Sequence, residues 1–163
     1  MLESDLASQP AARSRARQAS IVRRTSLGMT VGLLIQYGLG MVVNLYVTVP
    51  QQDQGRGFLA AIGRALGNGP VALGAHAALG LLLILGAISL VIRAAAARQR
   101  AAVWLSVAGL LGIVGAAASG AGFVNSGADG ASLAMALLTG VALLCYVINT
   151  YLAGRVPGGG SRS

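Results

Sequence analysis

The chain contains one histidine, His76, in a run of small and apolar residues, Ala72-Leu73-Gly74-Ala75-His76-Ala77-Ala78-Leu79-Gly80. Imidazole titrates near neutral pH and is the commonest metal ligand, so His76 is the first candidate for chemistry. Small neighbours leave room beside it for something bulky. Counted at about 1.5 Å per helical residue, His76 falls roughly 9 Å below the outer end of its apolar run, and Asn44 falls roughly 8 Å below the outer end of another. Ser119 and Met135 fall at similar depths in two further runs. Four segments thus bring one polar or ligand-capable side chain each to a common layer. Gln36 and Thr139 lie deeper, and Asn125 and Asp129 lie just above.

Several chemistries fit that layer. His76 and Met135 are suitable axial ligands for a haem iron, and the same pair suits copper. Haem held by two histidines would need a homodimer presenting His76 twice. His76 is also suited to relaying a proton. The plainer reading is a hydrogen bond from His76 to Asn44, Ser119 or a backbone carbonyl that ties the elements together. No cofactor is required by the sequence, and a metal site, if present, would have to centre on His76.

Other chemistry is poorly provided for. There is no Gly-x-x-x-x-Gly-Lys phosphate loop, no Cys-x-x-Cys and no His-Glu-x-x-His. None of the apolar runs holds a carboxylate, so a proton-coupled exporter has no visible carrier. Ser119, His76 and Asp129 can be named as a triad, but no motif positions a nucleophile. We therefore expect no catalytic residues and no enzymatic activity. The single cysteine, Cys145, excludes an intramolecular disulfide and reads as a small hydrophobe in an apolar run.

The elements that must position these residues follow from composition. The 163 residues are 55% hydrophobic and only 10% charged, whereas a soluble domain carries about a quarter charged residues. Both a soluble fold and general disorder are excluded on that ground. The net charge of +8 comes from 12 arginines, no lysine and 4 acidic residues. The arginines sit between the apolar runs, which argues against nucleic-acid binding. Arginine without lysine, with abundant alanine and glycine, points to a high-GC coding genome and a bacterial source.

A helix crossing about 30 Å of hydrocarbon needs roughly 20 apolar residues. Four runs meet this, at about 27–49, 70–92, 101–124 and 131–153. They are continuous rather than alternating, and in lipid the backbone must pair within the segment, so helices are expected and strands are not. The expected fold is all-α, a four-transmembrane-helix bundle. Residues 1–26 read as a solvated basic tail and 154–163 as a flexible tail. The first run is too long for the core of a cleaved signal peptide, and we expect it to be a retained helix. In the outer loop from Pro50 to Gly69, Phe58–Leu66 has apolar residues at helical spacing and is either an amphipathic surface helix or a plain loop.

Arginine placement sets orientation. Arg13, Arg15, Arg17, Arg23 and Arg24 precede the first run, Arg93, Arg98 and Arg100 lie between the second and third, and Arg155 and Arg162 follow the fourth. Only Arg56 and Arg64 fall on the other side. Both termini are therefore expected in the cytoplasm, and the protein in the cytoplasmic (inner) membrane. Trp104 and Tyr151 at inner ends, and Tyr46 and Phe123 at outer ends, agree with this. The basic residues at the inner surface attract anionic lipid or serve topology alone.

Helices in lipid associate through close approach and polar contacts rather than hydrophobicity. Gly28, Gly32, Gln36, Gly40 and Asn44 recur every four residues and should form a slanting groove on the first helix. Gly109, Gly112, Gly115, Ser119, Gly120 and Gly122 line the third. Met135, Thr139, Ala142, Tyr146 and Asn149 share one face of the fourth. The first and third runs share Gly-Leu-Leu with a further glycine six residues after the first, a hint of a duplicated hairpin.

The run Gln36-Tyr37-Gly38-Leu39-Gly40-Met41-Val42-Val43-Asn44-Leu45-Tyr46-Val47 resembles the first helix of a family of small, uncharacterised four-helix membrane proteins of high-GC bacteria. Gly69-Pro70-Val71-Ala72-Leu73-Gly74-Ala75-His76-Ala77-Ala78-Leu79-Gly80 is similar to that family's second helix. The resemblance extends loosely over Leu27 to Leu152. It implies the four-helix fold and the membrane location, and no activity. The helix count is also similar to haem-carrying cytochrome b bundles, whose paired histidines are missing here. The function expected is that of a non-catalytic accessory bundle binding a partner protein, a lipid or a hydrophobic ligand through its glycine-lined faces. A haem- or metal-binding redox accessory using His76, or a small oligomeric transporter with Gln36, Asn44 and His76 along a path, are the alternatives.

Overall fold

The computed structural model describes residues 2–46, 63, 67, 71–126 and 129–155. Among these the protein is all helical: α1 (Leu2–Tyr46), α2 (Val71–Ala96), α3 (Arg100–Ser126) and α4 (Asp129–Gly154). Each contains a segment long and apolar enough to cross a membrane: Ala16–Tyr46, Val71–Ala96, Arg100–Phe123 and Gly130–Gly154. The helices form a ring in chain order, α1 on α2, α2 on α3, α3 on α4, and α4 closing on α1. Large hydrophobic side chains cover the outside, among them Leu34, Ile35, Leu82, Leu85, Leu111, Leu137 and Leu144, each more than half exposed. A wall of this kind is stable in lipid and not in water.

The buried residues follow one rule in every helix. They are Ala19, Val22, Ser26, Met29 and Leu33 in α1, and Leu83, Ala87, Leu90 and Ala94 in α2. In α3 they include Ala102, Ser106, Gly109, Ile113 and Ala116, and in α4 Ala142, Tyr146, Asn149 and Ala153. Steps of three and four alternate. That 3.5-residue period keeps one seam facing inward along the helix, as in left-handed bundles. The contacts pair off in layers, Met29 against Gly86, Gly32 against Leu83, Gly109 against Tyr146 and Gly112 against Ala142.

Two features bear on the expected ends of the first span and on the outer loop. The segment read as a solvated basic tail is helical from Leu2 and continuous with the first span. Alanine, arginine and glutamine in this stretch are good helix formers, and the span below supplies the costly nucleus. Ala19 and Val22 are buried, so the bundle begins there and residues 2–18 project about 25 Å beyond it. The segment Phe58–Leu66, left open between a surface helix and a plain loop, lies outside the described residues except for Gly63, which is helical and exposed.

The connection from α2 to α3 is short. Arg98 N–H donates to Ala95 O at 2.9 Å and Gln99 N–H to Ala94 O at 3.3 Å. This is the Schellman arrangement, which ends a helix with one residue in the left-handed region. That residue is Arg98, at φ 54°. Arg13, Arg17, Arg23, Arg24, Arg93, Arg98, Arg100 and Arg155 all lie at the end of the bundle where α1 and α3 begin and α2 and α4 finish.

Candidate functional site

His76 lies on the first turns of α2, half-buried against α1. Gln36 Nε2 donates to the His76 carbonyl at 3.0 Å and lies 3.3 Å from His76 Nε2. The amide therefore clasps both the ring and the backbone of one residue. With Gln36 donating, His76 Nε2 is the acceptor and the ring proton sits on Nδ1, the tautomer being inferred from the donor. Nδ1 is buried without a partner, as is Gln36 Oε1. Two glycines make the clasp possible. A Cβ on Gly40 would stand 3.1 Å from His76 Cε1, and one on Gly80 would stand 3.1 Å from Gln36 Nε2.

Met135 and Asn44, two other members of the expected layer, have other neighbours. Met135 sulfur lies against Gly120 in the α3–α4 contact, 3.1 Å from where a Cβ would be. Thr139 hydroxyl donates to the Met135 carbonyl at 2.8 Å, the usual way a hydroxyl is satisfied within its own helix in lipid. Ser119 is half-buried on α3. Asn44 is exposed and lines a groove of about 390 Å³ with Phe123, Ser132, Leu133 and Ala136. The side chains of Asn125 and Asp129 lie outside the described residues. Gln36 is thus the partner of His76, and Asn44 faces α4 instead.

The glycines divide in the same way. Gly32 and Gly40 pack on α2, and Gly109, Gly112 and Gly115 pack on α4. Gly112 brings backbones together, since a Cβ there would sit 3.0 Å from the Leu138 carbonyl oxygen. Gly28 meets nothing within 4 Å and is exposed. The physical reason is drift. A four-residue step turns 400°, so four steps from Gly28 to Asn44 sweep about 160° around the helix. Only the middle three residues of that series face α2. The suggested duplication fares similarly: Gly115 packs on Leu138, while its counterpart Gly38 is open.

A second polar layer joins Asn149, expected on the shared face of the fourth helix, to two serines that the glycine series does not mark. Ser26, Ser106 and Asn149 are all fully buried, and Asn149 Nδ2 donates to Ser106 Oγ at 3.1 Å. Ser26 Oγ and Asn149 Oδ1 have no partner. The 3.5-residue seam of α1, running through Val22, Ser26, Met29 and Leu33, was the available signal. The every-fourth glycine series drew attention to a different face.

The described residues contain no group of three or more His, Cys, Asp or Glu side chains able to hold a metal. Cys145 is free and half-buried. At the opposite end from His76, the α1–α4 seam opens into a groove of about 460 Å³ lined by Arg23, Leu27, Thr30, Val147, Tyr151 and Arg155, among others. Arg155 stacks on the Tyr151 ring at 4.3 Å from its centre. Comparison of the chain with protein-family models, with curated proteins and with solved structures finds no match.

Proposed function

We propose that the chain is a multi-pass protein of the cytoplasmic membrane, with both termini inside, acting as a non-catalytic accessory bundle that binds a second membrane component through its outer wall. The observation that carries this reading is the filled interior. Leu33, Leu83, Ala87, Leu90, Ile113, Ala142 and Tyr146 are buried side chains contributed by all four helices, and they occupy the middle of the bundle. Polar side chains on either side of that plug bond in pairs between helices, Gln36 with His76 and Asn149 with Ser106. Such an interior speaks against a path along one chain and leaves the outer wall to engage a ligand. The arginines gathered at one end support placing that end in the cytoplasm.

A second reading, a haem-binding accessory, draws on the unpartnered Nδ1 of His76. It requires the ring to leave the contact with Gly40 and Gln36.

The deciding experiment is an absorption spectrum of the detergent-solubilised protein, oxidised and reduced, from cells supplied with haem precursor, with His76→Ala beside it. A colourless protein, with the variant folded but less thermally stable, is the expected result. A Soret band that shifts on reduction and disappears in the variant overturns the reading in favour of haem. Flux in proteoliposomes that depends on His76 overturns it in favour of transport.

A further inference from the structure

The groove at the termini-bearing end of the α1–α4 seam has a charged mouth and an apolar floor. Arg23 of α1 lies across the last turn of α4, its Nε 3.5 Å and its guanidinium carbon 3.7 Å from where a Cβ on Gly154 would be. The free carbonyls ending α4 attract a cation to this place. Arg155 follows immediately in sequence and its guanidinium is fixed over the Tyr151 ring. Two guanidinium groups are therefore held on neighbouring residues of one helix end.

No acidic side chain of the described helices is placed to neutralise them. Asp5 precedes Arg23 by 18 residues of the same helix, about 27 Å away along α1, and Glu3 is further still. Asp129 begins α4 at the opposite end of the bundle from Gly154. Among the described residues no anion complements this mouth, and stacked arginine presents its N–H edge to a phosphate.

The floor selects what kind of anion. Leu27 and Val147 are exposed apolar side chains within the groove. Thr30 and Thr150 hydroxyls donate to the carbonyls of Ser26 and Tyr146 on their own helices, leaving their methyl groups as the wall. Leu27 lies one helical turn beyond Arg23, and Val147 two turns before Arg155. Charge at the headgroup level and an apolar channel leading toward the membrane interior match a phospholipid rather than a soluble anion.

We propose that this groove binds one anionic phospholipid, with its phosphate between Arg23 and Arg155 and an acyl chain along Leu27, Thr30 and Val147. This rests on the reading of the chain as a membrane bundle that binds through its outer wall, and it identifies one component bound there.

The test is native mass spectrometry of the full chain in mild detergent, titrated with dioleoylphosphatidylglycerol or dioleoylphosphatidylcholine. The expected result is a single saturating phosphatidylglycerol adduct with no equivalent for phosphatidylcholine. Arg23→Gln/Arg155→Gln should weaken the adduct about 30-fold, roughly fivefold per arginine. Gly154→Leu keeps the charge but fills the space under Arg23, and should weaken it comparably. Arg13→Gln/Arg17→Gln removes as much charge away from the groove and should leave the adduct unchanged. Circular dichroism and monodisperse elution check the fold of each variant, and the two groove variants are independent of one another. Equal binding of both lipids overturns the site. So does equal loss in the Arg13/Arg17 control, displacement of lipid by excess inorganic phosphate, or a lipid-free dimer whose partner helix fills the seam. Each of these leaves the protein colourless, whereas failure of the underlying reading appears as a Soret band or His76-dependent flux.

Discussion

Asn149 and Ser106 hydrogen-bond across the α3–α4 contact at 3.1 Å, with neither side chain reaching the surface. Ser26 of α1, also fully buried, occupies the corresponding step of its own seam. A polar residue at one inward position penalises misaligned helices, because a shift of one turn would set it against apolar neighbours. Asn149→Ala should destabilise the bundle by about 1–2 kcal/mol, and the coupling to Ser106→Ala in a double-mutant cycle should be about 0.6 kcal/mol. Unfolding of the four variants in mixed detergent micelles checks both values.

Gly109 and Gly28 should respond oppositely to alanine. At Gly109 the new Cβ would stand 2.6 Å from Tyr146 Cζ, and Tyr146 is fully buried and cannot swing aside. Gly109→Ala should cost about 1–3 kcal/mol. At Gly28 nothing lies within 4 Å, and the gain in helix propensity should make Gly28→Ala stabilising by up to about 1 kcal/mol. Thermal melts of the two variants should move in opposite directions from the parent.

Arg98 holds φ at 54° with a side chain that disfavours that region. Arg98→Gly should stabilise the α2–α3 turn by about 1 kcal/mol. Gln99→Gly, one residue on, should give no such gain. Comparison of their unfolding midpoints tests whether the turn is strained where the backbone says it is.

The Gln36–His76 clasp should behave as a unit. Gln36→Leu leaves the His76 ring and carbonyl without their donor, and His76→Ala removes the ring that rests on Gly40. Each should destabilise the bundle, and the double variant should cost less than the sum of the two by about 0.5–1.5 kcal/mol. Additive losses would mean the two residues act separately.

The projecting part of α1 should be dispensable for bundle stability where the buried part is not. Removal of residues 2–12 should leave the melting temperature unchanged. Val22 is 1% exposed, and Val22→Ala should lower it. Equal effects of the two changes would place the start of the bundle earlier in α1 than the burial of Ala19 and Val22 indicates.

Sequence alone determined the number of the spans, because an apolar run of roughly 20 residues without charge has few other uses. It also determined that the described arginines gather at one end, since alternate connections of an antiparallel bundle share a side. The inward face of α4 could be read as well, because Met135, Thr139, Ala142, Tyr146 and Asn149 follow the 3–4 spacing, and the last three are fully buried. What tertiary structure decided was the rotation of α1 and the partners of its polar residues. In lipid the outward face of a helix is as apolar as the inward one, so hydropathy does not mark which side meets the bundle. Gln36 and Asn44 are both polar on the same helix, yet one holds His76 and the other faces α4. The eight-residue step from one to the other turns the helix by a net of about 80°, and only the positions of α2 and α4 around α1 turn that angle into two different partners.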